Sequence, residues 1–410
     1  MAYINYNSTN APRSQQLNIS DIGYDQVLTT RKGISNFINN VKKFVNAPPY
    51  ADVIINSGAT ESIANVLLWA KLSNPFGEVY GTDLDHESVY ENCKNLDMKY
   101  NLLDKSFPTN ASIVFLTHVS GKTGEILDIQ NFMRNVKQIS FLNLEDNSKD
   151  ININEINTRQ YKPLIISDVS QSIGKLPIDM QNNNLDAVFW SMHKLGGPQG
   201  YGVLVINNHN QKHPFKPLIA GFQQGGLRGG TLPLSNVIGL ESLFKTHKHN
   251  TIQLWKDAVK YFEEFGLNVI KPKRNHLHNT ILIKINYCPL QVINMLSKEN
   301  IFIGAVSACS LEKYIQNNTI NENLDQDENA YIRISFGDGK EFTKVIMRKI
   351  AKTIINYEKE LQQKERLDKD IAEQFDFGLS STINEDIQEM IDLNSDNELE
   401  NELDSRLAFM

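Results

Sequence analysis

The sequence predicts an α/β protein in which helices flank a mostly parallel β-sheet. Three apolar runs have the length of buried strands, and they lie at 53–55, 164–167 and 185–190. A segment of helical length, Ile63–Leu72, follows the first run after a turn that contains a glycine. Strand-length and helix-length segments in succession indicate helices layered on a sheet.

Two charged residues follow these predicted strands. Asp168 ends the second run, and Lys194 closes the turn Ser191-Met192-His193-Lys194 after the third. In open parallel sheets ligands lie outside the carboxyl ends of the strands, so we expect both side chains in one crevice. A lysine amine can carry an aldehyde cofactor as a Schiff base, and a carboxylate can hold a ring nitrogen protonated. Pyridoxal 5′-phosphate has both groups. A lysine in this position is also typical of a solvated strand end.

A phosphate-binding turn is predicted between the first strand and its helix. The turn reads Ser57-Gly58-Ala59-Thr60-Glu61-Ser62. Gly58 allows close approach of the backbone, Thr60 adds a hydroxyl, and N–H groups at a helix start attract anions. The same pattern also serves an ordinary capped helix.

The chain resembles the NifS-like cysteine desulfurases, a class V branch of the fold-type I pyridoxal-phosphate enzymes. Its matching motifs occur in the family's order and cover roughly residues 3 to 355. They are the lysine turn and the segments 3–9, 57–62, 85–89, 117–119 with Gly124, 168–179, 227–233, 307–310 and 332–337. The version of the opening motif at 3–9 is divergent.

The resemblance implies a two-domain organisation. A large domain, residues 13–245, would contain a mostly parallel seven-stranded sheet, including a strand at Val203–Ile206. Residues 1–12 and 246–362 would form a smaller α+β domain. Its helix candidate, Phe342–Leu361, has apolar residues in helical register.

The resemblance also implies roles for individual residues. Lys194 would bind the cofactor and move the Cα proton, and His86 would stack on the cofactor ring and assist catalysis. The cofactor would be bound by Gly58, Ala59, Thr60, His86, Asp168, Gln171, Ser191, His193 and Lys194, together with Thr231 from the partner subunit of a homodimer. Arg333 and Ser120 would bind the substrate, since a planar guanidinium suits a carboxylate. His86 as a surface histidine and Arg333 as the partner of an acidic residue remain alternatives.

The reaction depends on Cys309. The chain has three cysteines at wide spacing, which argues against a disulfide framework or a metal site. Cys93 and Cys288 have the context of structural residues. Cys309 follows a run of small residues, and thiolates are strong nucleophiles. By resemblance, its thiolate would attack the sulfur of L-cysteine, leaving L-alanine and a persulfide.

The sequence departs from the family at two places near the expected site. After His118-Val119 it has Ser120-Gly121-Lys122 where Asn-Asn-Glu is common, so an asparagine that contacts cofactor and substrate is replaced by Gly121. The stretch Gln223–Gly226 lacks the usual charges before the Arg-x-Gly-Thr motif. These departures put the rate and the substrate in question.

Composition excludes several functional classes. Net charge is −7, and residues 371–410 hold eleven acidic residues and one arginine, so the remainder carries about +3. No basic cluster suggests nucleic-acid binding, and no apolar run suggests a membrane span. Because the first motif begins at Tyr3, we expect no targeting peptide and a cytoplasmic location. The abundance of Asn, Ile and Lys suits an AT-rich genome, so a viral source remains open. For a viral protein we would expect a location in the host cytoplasm or the virion.

The acidic segment 363–410 is predicted to be a disordered tail. Ile383, Ile387, Met390 and Ile391 fall on one helical face, so the tail either solvates the protein or docks on a sulfur-acceptor protein.

Together these features predict a homodimeric cysteine desulfurase that supplies sulfur for iron–sulfur cluster assembly or thiolation. The alternatives are another class V reaction, such as selenocysteine lysis or transamination, and a NifS-like scaffold with little turnover.

Overall fold

The computed structural model describes residues 2–5, 7–8, 24–103, 110–134, 163–207, 214–232, 237, 240–245, 251–305 and 330–393. The described chain begins with a two-residue strand, β1 (Ala2–Tyr3), and a first helix, α1 (Tyr24–Phe44), precedes the main sheet. Contacts divide the chain into two units, residues 1–353 and 354–410.

Seven strands of the described residues form the main sheet. They are β2 (Asp52–Asn56), β3 (Glu78–Gly81), β4 (Tyr100–Leu102), β5 (Ala111–Thr117), β6 (Leu164–Asp168), β7 (Ala187–Ser191) and β8 (Gly202–Ile206). Their order is β2-β8-β7-β6-β5-β3-β4. Only β8 runs antiparallel to its neighbours among these strands. The predicted mostly parallel sheet, with strands at 53–55, 164–168 and 203–206, is confirmed.

Helices cover both faces of this sheet. The second and third helices are α2 (Ala59–Ser73) and α3 (Glu87–Asn95). Phe37 and Val41 of α1 belong to the same buried cluster as Val53, while Trp69 of α2 packs on the opposite face with Ile54. Strands covered on both faces read as continuous apolar runs, which is why they were visible in the sequence.

The remaining described elements build a smaller antiparallel sheet and its helices. They are α4 (Ile252–Glu264), β9 (Asn268–Ile270), β10 (Thr280–Lys284), α5 (Pro289–Lys298), β11 (Ile301–Phe302), β12 (Gly304–Ala305) and β13 (Tyr331–Ser335). The antiparallel order is β12-β13-β10-β9, and β1 pairs in parallel with β11. The N-terminal strand is therefore attached to the second half of the chain. A domain boundary at residue 245 stays a prediction.

A last helix, α6 (Lys344–Leu393), begins close to the predicted Phe342 but continues beyond Leu361. Residues 363–393, expected to be disordered, are helical in the structure. This stretch contains no proline, and 15 of its 31 residues are the helix-favouring types Glu, Gln, Leu, Lys, Arg, Met or Ala, so its local helix propensity outweighs its charge. No helix of the described residues is both long and apolar enough to cross a membrane.

Candidate active site

The predicted phosphate turn lies where strands β2, β7 and β8 meet helix α2. The hydroxyl oxygen of Ser191, at the end of β7, accepts a hydrogen bond from the backbone N–H of Ala59 at 2.9 Å. Gly58 has a φ of +155°, and a Cβ added at Gly202 would lie 2.5 Å from the Gly58 Cα. The turn therefore requires glycines, and it presents the exposed Thr60 in the first turn of α2.

Asp168, His86 and Lys194 lie within reach of one another's charge. Asp168 ends β6, is 9% exposed, and accepts a hydrogen bond from the backbone N–H of Ser170 at 2.8 Å. Burial raises the pKa of the Asp168 carboxyl, and the Ser170 contact and the charges of His86 and Lys194 limit the rise. Lys194 stands in a 3₁₀ turn, Met192–Lys194, directly after the neighbouring strand β7. The predicted meeting of Asp168 and Lys194 at the carboxyl ends of adjacent strands is thus present.

His86 caps the N-terminus of α3. Its Nδ1 accepts from the backbone N–H of Ser88 at 3.1 Å and lies 2.8 Å from the Ser88 hydroxyl. Desolvation lowers the pKa of His86, and the charge of Asp168 opposes this effect. The ring is therefore neutral at neutral pH, and because Nδ1 accepts, its proton lies on Nε2.

A buried carboxylate fixes the loop that carries His86. Asp85 accepts hydrogen bonds from the Thr117 hydroxyl at 2.6 Å, the Tyr100 hydroxyl at 3.0 Å and the Thr82 backbone N–H at 3.1 Å. Burial raises the pKa of Asp85 to about 6. Since Thr117 ends β5, this network ties the His86 loop to the carboxyl edge of the sheet.

The N-terminal segment lies against the lysine. The Nζ of Lys194 donates to the carbonyl oxygens of Asn7 at 2.5 Å and Ser8 at 2.6 Å. Gln171 Nε2 donates to the same Asn7 carbonyl at 2.8 Å, and its Oε1 accepts from Lys175 at 3.3 Å. Asn7 and Ser8 thus contact two predicted cofactor-binding residues.

Arg333 joins three segments in the same place. It lies on β13, is 4% exposed, and its Nη1 donates to the Gly121 carbonyl at 2.9 Å. Its Nη2 donates to the Ser8 hydroxyl at 2.7 Å and to Asn5 Oδ1 at 3.2 Å. These three acceptors are uncharged oxygen atoms, and the same fork of donors can bind a carboxylate.

The turn 120–124 lies beside this cluster. Ser120 is buried, and its hydroxyl accepts from the backbone N–H groups of Lys122 at 3.2 Å and Thr123 at 3.3 Å. A Cβ added at Gly121 would lie 3.4 Å from Gln171 Nε2. His193, beside Lys194, has its pKa lowered to about 4, chiefly by burial, and is a neutral imidazole at pH 7.

Two predicted site residues, Thr231 and Cys309, are not part of the described cluster. Thr231 is exposed on the loop 214–232, and no hydrogen bond joins it to another described residue; its contact across a dimer stays a prediction. Cys309 lies outside the described residues. Cys93 is buried, with its pKa raised to about 12 by burial and by Asp85, as expected of a structural thiol. Sequence reasoning assigned no role to Asn7 or Ser8, although both stand in the motif at 3–9.

The arrangement fits pyridoxal 5′-phosphate. A close-packed glycine turn at a helix start suits a phosphate, and a buried carboxyl at a strand end suits a ring nitrogen. Gly58, Asp168 and Lys194 supply the turn, the carboxyl and the amine.

Comparison with known proteins agrees with this fold. The sequence pattern described as "Aminotransferase class-V" matches residues 23–162 and 151–353, so the chain belongs to the aminotransferase class-V family. Members of this family typically use pyridoxal 5′-phosphate. The chain is 25% identical over 322 residues to the cysteine desulfurase IscS of Buchnera aphidicola from Acyrthosiphon pisum (strain 5A), covering 74% of this chain and 75% of that protein.

Solved structures share the fold. A NifS-like protein superposes with a TM-score of 0.66 at 20% identity, covering 88% of this chain and all of that one. A NifS-like protein from Rickettsia africae gives a TM-score of 0.64 at 17% identity, covering 86% and 98% of the two chains. The fold expected from the sequence motifs is therefore confirmed.

Proposed function

We propose that this protein is a pyridoxal-phosphate-dependent cysteine desulfurase that converts L-cysteine to L-alanine and retains the sulfur as a persulfide on Cys309. The observation that carries the proposal is the convergence of Asp168, His86 and Lys194 beside the glycine turn at Gly58. The distant similarity to IscS proteins supports the choice of reaction.

Each residue of the site then has a definite task. The phosphate would be held by Ser191, Thr60, His193 and the backbone at Gly58 and Ala59. Asp168 would face the ring nitrogen, His86 would stack on the ring, and Gln171 would contact its phenolic oxygen. When bound, the cofactor supplies an electron sink for the substrate Cα. Burial of Asp168 raises its pKa, and the positive charge of a protonated ring nitrogen would offset that rise.

Lys194 and Arg333 would act on the amino acid itself. Lys194 moves the Cα proton, and Arg333 binds the α-carboxylate through its fork of donors, with Ser120 supporting the turn beside it. The Arg333 side chain already donates to three oxygen atoms, those of Gly121, Ser8 and Asn5. A guanidinium has five N–H donors, so a substrate carboxylate can bind beside these contacts or in place of one of them.

Sulfur transfer would need the Cys309 thiolate as nucleophile. It attacks the sulfur of bound L-cysteine, the carbon–sulfur bond breaks, and its electron pair stays with the carbon fragment, which takes up a proton to become L-alanine. An acceptor protein, for iron–sulfur assembly or thiolation, would then remove the persulfide sulfur.

A homodimer is part of the proposal. The loop 214–232, which carries Thr231, exposes large apolar side chains: Phe222 is fully exposed, and Leu218 and Ile219 are 46% and 40% exposed. Exposed apolar clusters of this kind mark interaction surfaces. A second copy would cover them and would bring its Thr231 to the phosphate.

The test is an assay of the purified holoenzyme with L-cysteine, in which alanine and sulfide are measured together in the presence of a thiol reductant. The proposal expects equal amounts of both products, and none from Lys194→Ala. Lys175→Ala is the matched control because Lys175 lies beside the same cluster, where it donates to Gln171, but has no catalytic task. The proposed reaction would be rejected if alanine formed from selenocysteine alone. It would also be rejected if holoenzyme fully loaded with cofactor formed no product from L-cysteine.

A further inference from the structure

Asn7, in the N-terminal segment, is held within the site by hydrogen bonds of its backbone and its side chain. It is 4% exposed, and its backbone N–H donates to the Ser335 hydroxyl at 2.9 Å. Its Nδ2 donates to the Thr280 hydroxyl at 2.9 Å and to the Gly121 carbonyl at 3.3 Å. These contacts fix the side chain from three segments that are remote in sequence.

The partners also fix which way the carboxamide points. The Gly121 carbonyl can only accept a hydrogen bond, so the atom that faces it must be Nδ2. The Asn7 Oδ1 is then left as an acceptor, and no described residue donates to it. A carboxamide oxygen that no described residue donates to can accept a hydrogen bond from a ligand.

Two further acceptors lie on the same segment. The carbonyl oxygens of Asn7 and Ser8 both bind the Lys194 amino group, at 2.5 Å and 2.6 Å. Convergent oxygen acceptors are the surroundings that an ammonium group prefers, because it offers three donors and no acceptor. Once Lys194 is bound to the cofactor, these oxygens become available to another cation.

Arg333 brackets the segment from the other side, since its Nη2 donates to the Ser8 hydroxyl at 2.7 Å. Residues 7 and 8 thus present carbonyl acceptors for an ammonium group on one side and contact the Arg333 guanidinium on the other. An α-amino acid carries a carboxylate and an ammonium group on a single carbon, and it matches this pair of subsites.

We propose that Asn7 is a substrate-binding residue, and that its carboxamide and carbonyl oxygens, with the Ser8 carbonyl, accept hydrogen bonds from the α-ammonium group of the incoming amino acid. The inference rests on the proposed function for the identity of the substrate as an α-amino acid. Gly121 leaves space for the ligand beside Asn7, because any side chain at position 121 would extend towards Gln171.

Binding of L-alanine and of propionate to the holoenzyme tests the inference, because the two ligands differ only by the ammonium group and neither releases sulfur. Calorimetric titrations would compare wild type, Asn7→Ala and Thr280→Val. Thr280→Val is the matched control: it removes the partner of the Asn7 Nδ2 but leaves Oδ1 and both carbonyls in place.

Asn7→Ala should weaken L-alanine binding roughly tenfold or more and leave propionate binding nearly unchanged, since a hydrogen bond to a charged group contributes that much. Thr280→Val should affect both ligands to the same small extent. The inference would be overturned if Asn7→Ala lost affinity equally for both ligands, or lost none for L-alanine. A wild-type protein that does not prefer L-alanine over propionate would also overturn it. Failure of desulfuration with this preference intact would reject the proposed reaction and leave the ammonium subsite standing.

Discussion

The hydroxyl oxygen of Ser191 accepts a hydrogen bond from the backbone N–H of Ala59 at 2.9 Å. This contact joins the end of β7 to the first turn of α2. Lys194 follows Ser191 by three residues, so the bond also sets the distance between the lysine turn and the helix start.

Ser191→Ala should weaken cofactor binding by roughly five- to tenfold, because one hydroxyl at the phosphate site is lost and the Ala59 N–H loses its partner. Absorbance titration of apoprotein with pyridoxal 5′-phosphate measures the dissociation constant. Ser73→Ala, at the other end of α2, is the control, since its hydroxyl bonds only to the Trp69 carbonyl. Equal affinities of Ser191→Ala and Ser73→Ala would argue against a phosphate at this turn.

Replacing His86 by another planar ring should preserve cofactor binding but not catalytic turnover. We expect His86→Phe to retain cofactor affinity within about threefold, because its ring still stacks, and to lower kcat by about a hundredfold, because the resemblance assigns the imidazole a part in catalysis that phenylalanine lacks. His86→Ala should lose both properties. Titration of the cofactor and steady-state alanine production separate the two effects, and a fully active His86→Phe would limit the residue to stacking.

Asp85 should make folding stability pH-dependent. Burial raises its pKa from 3.8 to about 6, so the folded state binds a proton more tightly than the unfolded state does. This contribution is fully present below about pH 4 and is lost as pH rises through about 6. The change amounts to about 3 kcal/mol.

Urea unfolding of wild type and Asp85→Asn from pH 4 to pH 7 measures this effect. The free energy of unfolding of wild type, minus that of Asp85→Asn, should fall by up to about 3 kcal/mol over this range. Asp97→Asn, which alters an exposed aspartate just after α3, serves as the comparison. A constant difference between wild type and Asp85→Asn would contradict the raised pKa.

The sequence was sufficient to predict the sheet and its charged carboxyl edge. Leu164-Ile165-Ile166 is a continuous apolar run because β6 is covered on both faces, and such a run is visible without tertiary information. The turn at Gly58 was equally visible, because its φ of +155° is a conformation that glycine adopts most readily. Asp168 and Lys194 followed from the rule that ligands lie at the ends of parallel strands.

The contacts of the N-terminal segment could not be predicted in the same way. Asn7 and Lys194 are separated by 187 positions, and the parallel pairing of β1 with β11 brings the segment to the site. Nothing local to Asn7 signals this pairing. The hydrogen-bonded environment of Asp85 also depends on tertiary structure, because Thr117 and Tyr100 come from different strands.

The most direct measurement of the central claim is the fate of one sulfur atom in a single turnover. Holoenzyme would be mixed with one equivalent of L-cysteine without an acceptor, and the peptide that contains Cys309 would be analysed by mass spectrometry beside a determination of alanine. We predict one added sulfur atom on Cys309 for each alanine formed, and no alanine from Cys309→Ala. Alanine formed in full while Cys309 stays unmodified, or wild-type turnover by Cys309→Ala, would contradict the account.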